Sequence, residues 1–127
     1  MKTMTATPPS DPVSVDPVSV ESRDGIVIVH VHGDIDMSNV NVFTAALSGS
    51  NDKPRGLVVD LSAARFFDSS GLRALFQIGT ALQARGGQLA IAVPPTVPLR
   101  RLLEISGADA IADIEESVEA AVDRVGT

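Results

Sequence analysis

Cysteine is absent from this chain of 127 residues, and so are tryptophan and tyrosine. The first absence excludes disulfides, thiolate metal sites and thiol catalysis. The second leaves four phenylalanines as the whole aromatic content, too few for a base-stacking platform. Positive charge is also short. Ten Lys and Arg face sixteen Asp and Glu, for a net charge of −6. Nucleic acid and anionic membrane surfaces both call for the opposite sign. No apolar run approaches the roughly 18 residues of a membrane span. Residues 1–12 lack the apolar stretch of a secretory signal, so the cytoplasm is the expected compartment.

Hydrophobic residues make up 44% and charged residues 20%, which is the balance of a globular domain with its own core. Residues 1–12 are polar and carry Pro8, Pro9 and Pro12. They read as a mobile tail, with a single domain over 13–127. A short tandem, Asp11-Pro-Val-Ser-Val15 and Asp16-Pro-Val-Ser-Val20, is too small for a solenoid and feeds one edge strand.

Periodicity then marks a series of elements. Residues 18–22 alternate as a half-buried strand, Asp24-Gly25 is a tight-turn dipeptide, and IVIVHVH over 26–32 is a second strand. Ser38 is the expected N-cap of a helix reaching Leu47, with Val40, Phe43 and Leu47 on one face. GLVVDL over 56–61 is a buried strand, and 62–68 is expected to be a connector. The longest helix is expected over 69–85, with Leu72, Leu75, Phe76, Gly79 and Leu82 turned to the sheet and Gly86-Gly87 ending it. QLAIAV is a further strand. Pro98 opens a short helix striped by Leu99, Leu102 and Leu103. Residues 110–114 form a last strand, and Ser117 caps a final helix with Val118, Ala121, Val122 and Val125 on one face. The order β-β-α-β-α-β-α-β-α predicts an α/β fold: a mixed, mostly parallel sheet with an N-terminal antiparallel hairpin, flanked by about four helices.

The stretch from Leu57 to Leu72 is the most informative. A buried strand leads to Asp68-Ser69-Ser70-Gly71 at the mouth of the long helix. The residues alone allow two readings. One is a well-capped helix start. The other is a modification site, since free amides and the helix dipole at that end favour an anion.

LVVDLSAARFFDSSGL resembles the signature of STAS domains, and of bacterial anti-sigma factor antagonists in particular. Gly33-Asp34-Ile35-Asp36 is similar to the family's motif at the end of its central strand. Leu99-Arg-Arg-Leu-Leu-Glu-Ile-Ser-Gly107 resembles its short helix ending in a Ser/Thr-Gly pair. The resemblance covers about residues 18–125. It implies a non-enzymatic regulator whose first serine of Asp-Ser-Ser-Gly, here Ser69, is the phosphoacceptor. It implies as partners an anti-sigma factor with serine kinase activity, bound by the unmodified form to free a sigma factor, and a serine phosphatase that resets the cycle. The implied partner surface comprises Asp36, Asp68, Ser69, Ser70, Gly71 and Arg73. A STAS domain acting as a stress-signalling scaffold or small-ligand sensor is the alternative. Two positions depart from the pattern. Arg73 stands where a small residue is common, one turn from Ser69, either as an exposed helix arginine or as a residue that tunes partner choice or pairs with a phosphate. Ala108 replaces a larger apolar residue, with a packing effect expected.

Other candidates are weaker. Asp34, Asp36, Asp60 and Asp68 fall near one edge of the expected sheet, where caps and turns explain them better than a hard cation does. His30 and His32 share a strand face without a third zinc ligand. Ser69 lies in no Gly-x-Ser-x-Gly elbow, and no phosphate-binding glycine loop is present. No metal, cofactor, catalytic residue or direct nucleic-acid contact is expected.

Overall fold

The structure is a computed structural model that describes residues 17–49 and 56–126. The expected tail over 1–12 and the first copy of the tandem lie outside these residues. Strands β1 (Val18–Arg23) and β2 (Ile26–Ile35) form an antiparallel hairpin. Asp24 (φ 54°) and Gly25 (φ 81°) are both left-handed, the turn whose twist matches two antiparallel strands. The carbonyl of Pro17 accepts from the His32 amide at 2.7 Å. Proline thus sits at the edge, where its missing N–H costs no ladder bond.

Strands β3 (Gly56–Phe67), β4 (Gln88–Ala92) and β5 (Asp113–Glu115) join in parallel, in the spatial order β1-β2-β3-β4-β5. Helices α1 (Val40–Gly49), α2 (Ser69–Ala84) and α3 (Pro98–Ser106) are the crossovers, and α4 (Val118–Gly126) ends the described chain. Because the strands advance steadily in one direction, right-handed crossovers place successive helices on one face. That face carries the larger core, in which Val29, Val31, Leu57 and Val59 meet Phe43, Leu75 and Leu103. Phe43 packs edge-on against Phe67 with ring centroids 5.4 Å apart. On the opposite face α4 covers Ile26, Ile28, Val58, Ala90 and Ala92 with Ala121 and Val125.

Several boundaries differ from those read in the sequence. β2 runs on to Ile35, and β3 continues through 62–67, the expected connector. Register shifts between His30 and His32 and between Gly33 and Asp34 insert extra residues into β3. Leu61, Ala64 and Phe67 are consequently the buried positions there, a spacing of three that conceals a strand from any test for alternation. Residues 108–110 form a 3-10 turn instead of the start of the last strand, with Ala108 fully buried in it. Leu102 is 38% exposed, leaving Leu99 and Leu103 as the packed stripe of α3. On α2, Leu75 and Leu82 are fully buried, whereas Leu72 and Phe76 lie only partly buried at the margin of the core.

Leu75→Ala should therefore cost about 2–5 kcal/mol in equilibrium denaturation. Phe76→Ala should cost less, about 1–2 kcal/mol, because that ring is only partly buried at the margin of the core. A larger loss at Phe76 than at Leu75 contradicts this placement of the helix.

Candidate functional site

The extended ends of β2 and β3 run side by side until Ile35 pairs with Phe67. The Asp68 amide then donates to the Ile35 carbonyl at 3.1 Å. From this rung each strand turns into a helix, and each turn is organised by an aspartate. Asp68 is the N-cap of α2. Its Oδ1 accepts from the amides of Ser70 (2.8 Å) and Gly71 (3.3 Å) and from the Ser70 hydroxyl. The Met37 amide of the other turn lies close enough to favour the charged form of this carboxylate. The Ser70 hydroxyl bond, joined by the Gly71, Ser70 and Met37 amides, holds Asp68 below its ordinary value of 3.8 against a smaller opposing effect of burial.

Asp36 does the same for the other turn. Its Oδ1 accepts from the Ser38 amide at 2.9 Å and from the Ser38 hydroxyl, and its carbonyl accepts from the Val40 amide at 2.8 Å. Ser38 is thus a donor to Asp36 and not the N-cap expected from its position. α1 begins two residues later because Asn39 closes the turn, accepting from the Asp36 amide and donating to the Asp34 carbonyl, both at 2.9 Å. The Asp36 carbonyl takes the Val40 amide that a Ser38 cap would otherwise bond, and the Asp36 and Asn39 side chains hold the turn before it.

Ser69 is the first residue of α2 and is exposed. Among the described residues its hydroxyl has no protein partner, unlike that of Ser70. Gly71 explains why the helix begins so close to the strand ends. A Cβ there would lie 2.7 Å from Cδ2 of Phe67 and 3.1 Å from Cγ2 of Ile35. Arg73, one turn beyond Ser69, is exposed and forms no ion pair among the described residues. The two residues line one shallow depression along the outer side of α2, together with Leu72 and Phe76. Met37 (79% exposed) and Phe66 (52% exposed) lie at the same sheet edge. Neither stood out in the sequence. The signal was available, since each is a large apolar residue next to a polar turn.

The four aspartates do not form one group. Asp34 faces Arg65 at 3.4 Å, while Asp36 and Asp68 serve their turns. Asp60 lies within β3 and accepts from the Ser62 amide (3.0 Å) and hydroxyl at the first register shift. Asp60 also accepts from Nδ1 of His30 at 2.7 Å, and the other ring nitrogen reaches Glu21 at 2.9 Å. Carboxylates only accept, so an imidazole held between two of them is doubly protonated. Burial pulls the His30 pKa down, but the bonds to Glu21 and Asp60 and their charges prevail and raise it above 6.5. Arg23 engages the second oxygen of Glu21 at 2.8 Å. His32 stacks loosely on His30 and bonds Ser19 at 3.1 Å. Among the described residues, no group of three His, Asp or Glu is arranged to hold a metal ion.

The STAS domain profile matches residues 17–121, and the chain belongs to that family. It is similar to BtrV of Bordetella bronchiseptica, a candidate anti-sigma factor antagonist, at 30% identity over 106 residues, covering 82% of this chain and 90% of that protein. The crystal structure of an anti-sigma factor antagonist from Mycobacterium paratuberculosis superposes with a TM-score of 0.78 at 29% identity, over 87% of this chain and 93% of the other. The phosphorylated form of the Bacillus cell fate determinant SpoIIAA shares the fold, with a TM-score of 0.63 at 21% identity over 85% and 98% of the two chains. No helix among the described residues is long and apolar enough to cross a membrane.

Two outcomes test this geometry. Gly71→Ala should destabilise the domain by about 1–3 kcal/mol, since backbone and a packed ring would have to move apart. The charge on His30 is favoured in the folded state, so its contribution is complete below pH 6.5 and fades as pH rises through the raised folded value. The stability gap between the native chain and His30→Gln, measured by denaturation across pH, should shrink on the alkaline side. A gap that stays constant with pH would remove the bridging imidazolium.

Proposed function

We propose that this STAS domain is an anti-sigma factor antagonist that binds a kinase-type anti-sigma factor when unmodified, thereby releasing a sigma factor, and that phosphorylation of Ser69 switches it off. The observation that carries this reading is the exposed, unengaged hydroxyl of Ser69, held at a fixed place by the capped start of α2. The similarity to anti-sigma factor antagonists supports the partner class. That SpoIIAA occurs in unphosphorylated and phosphorylated forms supports the modification. The partner surface is formed by Asp36, Asp68, Ser69, Ser70, Gly71 and Arg73, with Met37 and Phe66 as its apolar contacts.

The partner supplies the chemistry. Oγ of Ser69 attacks the γ-phosphorus of ATP bound to the anti-sigma factor, the bond to the departing ADP breaks, and the hydroxyl proton passes to a base on the kinase. A serine phosphatase hydrolyses the ester and restores the hydroxyl. In this reading the protein is a substrate and binding module, not an enzyme, works in the cytoplasm and touches no nucleic acid directly. The switch is electrostatic. The product carries about −1.5 to −2 charge beside the Asp68 carboxylate, in a chain already at −6. Each ~1.4 kcal/mol of repulsion or desolvation lowers affinity tenfold.

Incubation with kinase-type anti-sigma factors and ATP should add the mass of one phosphoryl group to the native chain and none to Ser69→Ala. The alanine variant should still bind the partner, and Ser69→Glu should bind at least about tenfold more weakly. Phosphate on Ser70 alone, or undiminished binding by Ser69→Glu, would overturn the assignment.

A further inference from the structure

Phosphate at Ser69 meets a helix terminus whose next two donors, the Ser70 and Gly71 amides, are already taken. The amides of Ser70 and Gly71 point at Oδ1 of Asp68, and the amide of Leu72 donates to the Asp68 carbonyl at 3.2 Å. Two of the amides that sequence reasoning offers to an anion here, those of Ser70 and Gly71, are therefore engaged, and by a group of the same sign as the phosphate. A phosphoserine at this position is left to its own amide and to the side chains beside it.

The helix supplies one. Arg73 is four residues on from Ser69, so the two side chains lie on one side of α2 about one turn apart. Helical side chains lean toward the N-terminus, which aims the guanidinium back at Ser69. An acid placed four residues before a base is the favourable order for such a pair. The guanidinium can also grip a phosphate through two parallel N–H bonds. Among the described residues Arg73 is engaged with no carboxylate, whereas Arg23, Arg65, Arg100 and Arg124 each pair with one. Ser69 and Arg73 also border the same depression, with Leu72 and Phe76 beside them.

We infer that Arg73 is the phosphate-receiving residue of the modified protein: it draws phosphoserine 69 down along α2 and lays the dianion over the Leu72–Phe76 depression. This rests on Ser69 being the modified residue, and it adds a second element to the switch. The off state then carries an ion pair lying across an apolar strip of the partner surface, in addition to a charge projecting from it. Arg73 is a positioning residue for the phosphorylated form and takes no part in phosphoryl transfer.

Phosphoserine incorporated biosynthetically at position 69 separates this inference from the choice of kinase. The second ionisation of the phosphate, followed by phosphorus NMR, should occur at lower pH in the native background than in Arg73→Gln, by at least about 0.3 pH unit. Arg73→Lys should retain part of the shift and Arg85→Gln, at the far end of α2, all of it. High salt should shrink the difference. Circular dichroism confirms that each exposed-residue variant is folded. Identical titrations in the native and Arg73→Gln proteins, or an equal change in Arg85→Gln, would overturn the pairing even if a kinase does modify Ser69. A kinase that modifies another residue refutes the proposed switch instead, and leaves the titration to be judged by its own result.

Discussion

The site depends on one rung of the sheet. Ile35 pairs with Phe67 at the end of the β2–β3 ladder, and the next amide, that of Asp68, still donates to Ile35. Everything that follows is fixed relative to that rung. The chain leaves it twice, once through the Asp36 turn and once through the Asp68 cap, and the Met37 amide of the first lies close enough to favour the charged carboxylate of the second. Gly71 permits the close approach of α2 to Phe67 and Ile35. A serine placed one residue past such a cap has little backbone freedom, so its Cα–Cβ bond projects in a set direction while the hydroxyl stays exposed.

The same ladder explains the division of labour between the two faces of the sheet. A steady advance from β2 to β5 with right-handed crossovers sends helices to one side. Only α4 remains for the other, and it lies over Ile26, Ile28, Val58, Ala90 and Ala92. The part of that face beyond its reach is polar. Glu21, His30 and Asp60 span β1, β2 and β3 there as a row of alternating charge. Side chains on a half-covered sheet need partners that tolerate water, and this row provides them across the edge strand. It also anchors the first register shift, because Asp60 takes the Ser62 amide.

The order of elements and the identity of the helix start were legible in the sequence. Alternation in β1, the continuous β-branched run in β2 and the Asp24-Gly25 turn each report a single local preference, and each was read correctly. The second half of β3 was not legible, because two register shifts replace the period of two with burial every third residue at Leu61, Ala64 and Phe67. The start of α1 was misplaced for a related reason. Ser38 has the chemistry of a cap, but its hydroxyl is drawn back to Asp36, whose carbonyl takes the Val40 amide, and Asn39 locks that turn. Phe76 fits the helical period, yet period alone does not say how wide a stripe the sheet covers. Met37 and Phe66 were missed because their signal, a large apolar residue beside a polar turn, leaves no periodic trace.

A cap that is already complete changes what a phosphate does at this helix. At an uncapped terminus a phosphoserine satisfies amides, stabilises the first turn and can reorganise the segment around it. Here Asp68 has settled the Ser70 and Gly71 amides, so under the proposed modification those two donors would offer the added charge no vacancy to fill. Its effect would fall on the surface, on whatever approaches the Met37 and Phe66 edge and on the arginine one turn below. A switch of the proposed kind would separate fold from signal: stability resides in the ladder and the caps, and the message would reside in one side chain whose hydroxyl neither of them uses.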